Sequence, residues 1–137
     1  MKIAARRLVF ALLVLCTGCA TAPSGDAVLA ARLIGKWSQA KYLGEARIED
    51  ATELGADGTL RVNGLFHDAT GSRKYSANGV WRVEDGHFVQ TIHHSDFPGW
   101  RPGLPEFRHR IVTISEWEWV MVANEGGAEL RLWRFPK

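Results

Sequence analysis

The sequence is poor in cysteine, in long apolar runs and in motifs of known catalytic chemistry. Its two cysteines, Cys16 and Cys19, stand near the N-terminus, so the rest of the 137-residue chain has no thiol for a disulfide or a nucleophile. An apolar run covers residues 8–15, far short of the roughly 20 residues that span a membrane. No Gly-x-Ser-x-Gly, phosphate-binding glycine loop or His-Glu-x-x-His is present. These absences favour a protein that is not an enzyme.

The N-terminus has the layout of a secretion signal. Three basic residues precede the apolar run, and the following Cys16-Thr-Gly-Cys19-Ala resembles the lipobox of bacterial lipoproteins, although Cys16 stands where that family usually has leucine. The resemblance implies that Cys19 is acylated and anchors the protein in a membrane. Alanine at position 20 further implies sorting to the outer membrane of the bacterial envelope, facing the periplasm. A secretory signal cleaved without lipidation, or an uncleaved anchor, is the alternative.

Cleavage before Cys19 divides the chain into a signal peptide at 1–18, a tether at 19–25 and one domain at 26–137. Removal of the signal takes away Lys2, Arg6 and Arg7, which leaves 119 residues with 14 basic groups against 15 acidic ones. A nearly neutral domain has no basic patch that would attract a nucleic acid. We therefore expect no nucleic-acid partner.

Short alternating segments separated by turn residues fill the domain. Two residues such as Asp85-Gly86 between alternating segments are typical of tight hairpins. Consecutive hairpins predict an all-β fold, an eight-stranded antiparallel up-and-down barrel that closes on itself and so removes exposed strand edges. Asp26 is expected to N-cap a short helix that precedes the barrel. The predicted strands cover 36–43, 46–54, 59–67, 73–83, 87–94, 107–114, 117–123 and 128–135.

Two Gly-x-Trp triplets, Gly35-x-Trp37 and Gly79-x-Trp81, are the predicted structural anchors. Tryptophan buries a large apolar area, and the glycine allows another group to approach without a Cβ in the way. Arg134 alternates in phase with the leucines of the last strand, so we expect its side chain to point inward.

These features together resemble the lipocalin superfamily and its short bacterial relatives, the lipocalin-like lipoprotein domains. The resemblance covers roughly residues 26–135, including a hairpin at 55–60. It implies that the guanidinium of Arg134 stacks on Trp37 at the closed end, and that the barrel binds a small hydrophobic or amphipathic ligand. The chain is shorter than a full lipocalin and has no helix after the last strand, so a smaller or filled interior is the alternative. Avidin-type barrels share Gly-x-Trp, but the polar residues that hold biotin have no counterparts here.

Five polar residues are candidates for orienting a ligand inside the barrel, because the strand period points them inward among apolar residues. The alternative is a filled core in which these groups satisfy one another. The candidate ligand-binding residues are Asp50, Thr52, Gln90, His94 and His109. We predict no metal site and no cofactor, because adjacent His93 and His94 on a strand point to opposite faces.

The segment at 95–106 is the most unusual in the chain. It contains three prolines and the residues Phe97, Trp100 and Arg101, which are of the types that anchor protein interfaces. It is predicted to be either a lid or a contact for a partner; the alternative is that its aromatic residues fold back onto the barrel. The leading hypothesis is an envelope lipoprotein that binds a small ligand. The second is an envelope interaction or inhibitor protein that acts through this loop, with a filled barrel.

Overall fold

The computed structural model describes residues 24–123 and 127–135. The strands form one closed barrel in chain order, β1-β2-β3-β4-β5-β6-β7-β8, and every neighbouring pair is antiparallel. The predicted all-β barrel of eight strands with a short N-terminal helix is confirmed. The predicted signal peptide and residues 19–23 of the tether lie outside the described residues. The elements are α1 (Gly25–Leu33), β1 (Gly35–Leu43), β2 (Ala46–Leu54), β3 (Thr59–Asp68), β4 (Gly71–Glu84), β5 (His87–Ser95), β6 (Phe107–Ile114), β7 (Glu118–Ala123) and β8 (Glu129–Arg134).

The helix starts earlier than predicted, and Asp26 does not cap it. Ser24 is the N-cap, and its Oγ accepts a hydrogen bond from the amide of Ala27. The carboxylate of Asp26 instead accepts hydrogen bonds from the amides of Asp85 (2.8 Å) and Gly86 (2.9 Å). Serine and aspartate are comparable N-caps, and the β4–β5 turn offers two free amides to Asp26. The helix is thereby fixed across one end of the barrel.

Trp37 closes this end of the barrel. Its side chain is fully buried and its indole Nε1 donates to the carbonyl of Leu33 at 2.7 Å. The guanidinium of Arg134 lies 4.2 Å from the centre of the Trp37 ring, and it also donates to the carbonyls of Arg32 and Ile34 at the end of α1. The expected stacking of Arg134 on Trp37 is confirmed. One side chain therefore joins the last strand, the first strand and the helix.

Both predicted Gly-x-Trp glycines face a close neighbour. A Cβ added to Gly35 would lie 2.7 Å from Nη1 of Arg134, and one added to Gly79 would lie 1.9 Å from the backbone oxygen of Thr91. Trp81 is buried and its Nε1 donates to the carbonyl of Gly55 at 3.1 Å. The prediction that these triplets are core anchors is confirmed.

The core has two apolar clusters, one at each end of the barrel. The closed-end cluster consists of Leu33, Trp37, Leu54, Leu60, Trp81, Phe88, Ile114, Trp119, Met121 and Leu132. The open-end cluster is smaller and consists of Ala46, Ile48, Phe66 and Tyr75, with Phe97 packed against it. The polar interior residues described below lie on the strands between these clusters.

The contact between β1 and β8 is the shortest in the barrel. Among the described residues, the register pairs only Trp37 with Arg134 and Ser38 with Trp133, whereas β1 and β2 are paired along their whole length, from Gly35 to Leu43. The second half of β1 and the first half of β8 therefore diverge. We call this region the seam.

Candidate functional site

A buried carboxylate on β2 is the centre of the candidate site. Asp50 is 8% exposed, and its Oδ2 accepts hydrogen bonds from the hydroxyl of Tyr75 at 2.7 Å and from Nε2 of Gln39 at 3.2 Å. Its other oxygen, Oδ1, has no hydrogen-bond partner among the described residues. An unpartnered buried acceptor costs free energy, of the order of 1–3 kcal/mol. Asp50 is therefore ready to accept from a group that the described residues do not supply.

Strand period and register explain this arrangement. Along β2, Ala46, Ile48, Asp50, Thr52 and Leu54 are buried in alternation, so Asp50 lies on the inner face. The register places Gln39 of β1 directly opposite Asp50. On the other side, Asp50 is paired with Gly64 of β3, which is in turn paired with Tyr75 of β4.

Tyr75 acts as a hydrogen-bond donor to Asp50. Burial, and then the negative charge of Asp50 together with their hydrogen bond, raises the pKa of the Tyr75 hydroxyl above its usual range. The hydroxyl thus keeps its proton at neutral pH. Ion pairs among the described residues use other carboxylates, so no arginine or lysine nitrogen within 4.0 Å neutralises Asp50 there.

His109 is on the opposite side of the barrel, on β6. It is half-buried and pairs in register with the buried Phe88, which places it on the inner face. Its Nδ1 is buried without a partner among the described residues. Burial, followed by the positive charge of Lys41, lowers the pKa of His109. At neutral pH this imidazole is therefore neutral and offers a second unsatisfied polar atom.

The structure places the remaining predicted ligand-binding residues at different depths. Thr52 is buried on the inner face of β2, and Gln90 is half-buried on β5 opposite Trp81. The prediction that His94 points inward is wrong. The β4–β5 register shifts by one residue, because Asn78 pairs with His94 while Gly79 pairs with Ile92, and this bulge turns His94 outward to an exposed position.

Two residues of the site were not selected from the sequence. The alternation of each strand places Tyr75 on the inner face, and it places Gln39 there too, in phase with Trp37. Alternation within one strand does not show which residues of the neighbouring strands lie opposite them. Hydrogen bonds join Asp50 to Tyr75 and Gln39 rather than to Thr52 or Gln90. Only the register between strands gives this information.

An open groove of about 890 Å³ runs along the seam and reaches Asp50. Residues from both the inner and the outer face of the barrel sheet line this groove. Gln39, Lys41, Asp50, Tyr75 and Leu130 come from the inner face, and Ser38, Arg131 and Trp133 come from the outer face. The groove brings bulk solvent close to Asp50, whose Oδ1 is itself buried.

The loop between β5 and β6 folds back onto the barrel. The ring of Phe97 packs edge-on against Phe66 and Tyr75, with centroid distances of 5.5 and 4.9 Å. The ring centroids of Trp100 and His94 are 5.9 Å apart, whereas Arg101 is exposed. Of the three predicted interaction residues, Phe97 and Trp100 contact the barrel, and Arg101 faces solvent.

Within residues 24–123 and 127–135, no group of three or more histidine, cysteine or acidic side chains is arranged to hold a metal ion. None of the helices in this part of the chain is long and apolar enough to span a membrane. No protein-family model matches the chain, and no curated protein matches it at a significant level.

Proposed function

We propose that this protein is a lipid-anchored, non-enzymatic binding module of the bacterial envelope, which holds a small amphipathic molecule inside its barrel. The unpartnered Oδ1 of Asp50, buried next to a groove that leads to solvent, is the observation that supports this most strongly. A polar group of the ligand would complete the hydrogen bonding of Asp50.

The surroundings of Asp50 suit an amphipathic molecule. Val62 and Leu130 are partly buried beside the closed-end cluster, and Phe97 and Tyr75 provide aromatic surface at the open end. Binding sites for small molecules are typically apolar with a few convergent polar groups. An eight-stranded barrel has room for one small ligand when its interior is not completely filled.

Membership of the lipocalin superfamily is part of this proposal. It is supported by a closed barrel of eight strands that begins with a Gly-x-Trp, and by the contact between Trp37 and Arg134. The alternative function, a protein interaction through the 95–106 loop, has less support. Phe97 and Trp100 use their rings in contacts with the barrel, so they are not free to anchor a partner in this conformation.

Ligand binding is tested on protein purified from its native membrane. We expect native mass spectrometry to show an added mass of a few hundred daltons that is lost at higher collision energy. Delipidated protein should gain thermal stability when amphipathic metabolites are added, because a ligand that binds only the folded state stabilises it. A single protein mass, together with an unchanged melting temperature across the panel, would contradict ligand binding.

The anchor is tested with Cys19→Ala. We expect most of the protein to move from the membrane pellet to the soluble fraction, because the acyl chains that hold it would no longer be attached. The matched control is Cys16→Ala, which removes the neighbouring cysteine and should leave the protein in the pellet. Equal pelleting of Cys19→Ala and the unaltered protein would exclude lipidation as the anchor.

A further inference from the structure

We infer that the ligand carries an amine, and that its protonated nitrogen binds the Oδ1 of Asp50. This inference rests on the proposed function and specifies the chemical class of the ligand. Three features of the site support an amine: the charge of Asp50, the position of the other cations, and the access given by the seam.

Asp50 differs from the acidic residues that form ion pairs with arginine. The carboxylates of Asp68, Glu84, Glu106 and Glu118 each bind an arginine near the surface. Asp50 is more buried than any of them. It accepts two hydrogen bonds, both at Oδ2 and both from neutral donors. A buried carboxylate usually has a positively charged partner, because an isolated charge in an apolar interior is costly.

Among the described residues, no cation of the inner face forms an ion pair with Asp50. Arg134 is stacked on Trp37 at the closed end, and Arg73 lies over the ring of Phe66 and is paired with Asp68. Lys41 lies on β1 opposite Ile48, beyond Gln39, which is the residue opposite Asp50.

The same geometry disfavours other head groups. A ligand carboxylate placed at Oδ1 would be repelled by the charge of Asp50. A neutral alcohol could donate one hydrogen bond to the carboxylate, but it carries no positive charge and so lacks the Coulomb attraction that an ammonium has to Asp50. An ammonium has three donors, so it can bind Oδ1 and still direct a donor towards another acceptor of the interior. The body of such a ligand would lie against Leu130 and Val62.

The test uses three probes with the same apolar body, namely 4-phenylbutylamine, 4-phenylbutanol and 4-phenylbutyrate, titrated into the purified full-length protein by calorimetry. We expect the amine to bind at least about ten-fold more tightly than the alcohol, because only the ammonium has a Coulomb attraction to the carboxylate of Asp50. We expect the carboxylate to show no measurable binding. This comparison needs no variant, so it stands even if substitutions at Asp50 impair folding.

Asp50→Asn assigns the preference to this residue. We expect it to weaken binding of the amine by at least about ten-fold and binding of the alcohol by less, because only the amine loses a Coulomb attraction, so the preference for the amine should disappear. The control is Glu53→Gln, which makes the same change of charge at an exposed residue of β2 that does not line the groove, and it should leave all three affinities unchanged. Tyr75→Phe removes one donor to Asp50 but keeps the carboxylate, so it should retain the preference for the amine.

The possible results separate the two proposals. Equal affinities for the amine and the alcohol, or an Asp50→Asn variant that keeps the preference, would overturn the amine inference while ligand binding in the barrel stands. Absence of binding by all three probes, together with no bound molecule in the native mass spectrum, would overturn the proposed function and the inference with it.

Discussion

Replacing Trp37 with alanine is expected to lower the free energy of unfolding by about 3–5 kcal/mol, as large core truncations do. The indole is fully buried, donates to Leu33 and packs edge-on against Trp119 at 5.8 Å. Its removal would leave a cavity under α1 and would take away the surface on which Arg134 lies. Denaturant unfolding followed by circular dichroism measures the change.

Trp133→Ala is the matched control for this experiment. Trp133 is on β8 next to Arg134, but its side chain is 52% exposed and on the outer face. We expect the free energy of unfolding to fall by less than about 1 kcal/mol, since this substitution removes little buried apolar area. Similar losses of unfolding free energy in the two variants would contradict the role of Trp37 in closing this end of the barrel.

Gly79→Ala is expected to destabilise the protein by about 3 kcal/mol or more, although it adds only one methyl group. Overpacking in a well-packed structure usually costs 1–3 kcal/mol. Here the added Cβ would lie 1.9 Å from the backbone oxygen of Thr91, and a paired strand cannot move away as a side chain can. The two strands would have to separate at the bulge or change register.

Gly25→Ala distinguishes this steric effect from the general effect of replacing a glycine. Gly25 is the first residue of α1, and a Cβ added there would have no neighbour within 4 Å. We expect its stability to be unchanged or higher by up to about 1 kcal/mol, because alanine has the higher helix propensity. A melting temperature for Gly79→Ala close to that of Gly25→Ala would show that β4 and β5 do not approach each other this closely.

The barrel could be predicted from the sequence because its strands are short, alternate clearly and are joined by strong turn signals. The predicted strand at 46–54 coincides with β2, and the predicted strand at 107–114 coincides with β6. The inward direction of Arg134 also follows from local alternation, since β8 has no irregularity in its pairing with β7. Such inferences need only one strand at a time.

The bulges could not be predicted in this way. Strict alternation places His94 on the same face as Gln90, but one extra residue in β5 reverses the direction of every side chain after it. A second shift, in β6 between Ile111 and Thr113, explains why that strand has no clean amphipathic pattern. A bulge depends on how a strand pairs with its neighbour, so it cannot be predicted from the sequence of one strand.

The candidate site was predicted in part. The period of β2 identified Asp50 and Thr52 as inward-facing, and both are buried. The hydrogen bonds of Asp50 to Tyr75 and Gln39 depend on the register of four strands, and the groove depends on where β1 and β8 diverge. Neither property can be obtained from the spacing of residues along the chain.

The position of Arg134 has a consequence for how the chain assembles. Its hydrogen bonds reach Ile34 and Arg32, which precede it by 100 and 102 residues. Contacts between residues so distant in sequence form late, after local hairpins, because the loop that they close is long. The hairpins from β1 to β5 can therefore form as a nascent sheet while the indole of Trp37 is still uncovered. We expect the final strand to complete the barrel, and an open sheet that precedes this step would have two unpaired edges, which favour aggregation.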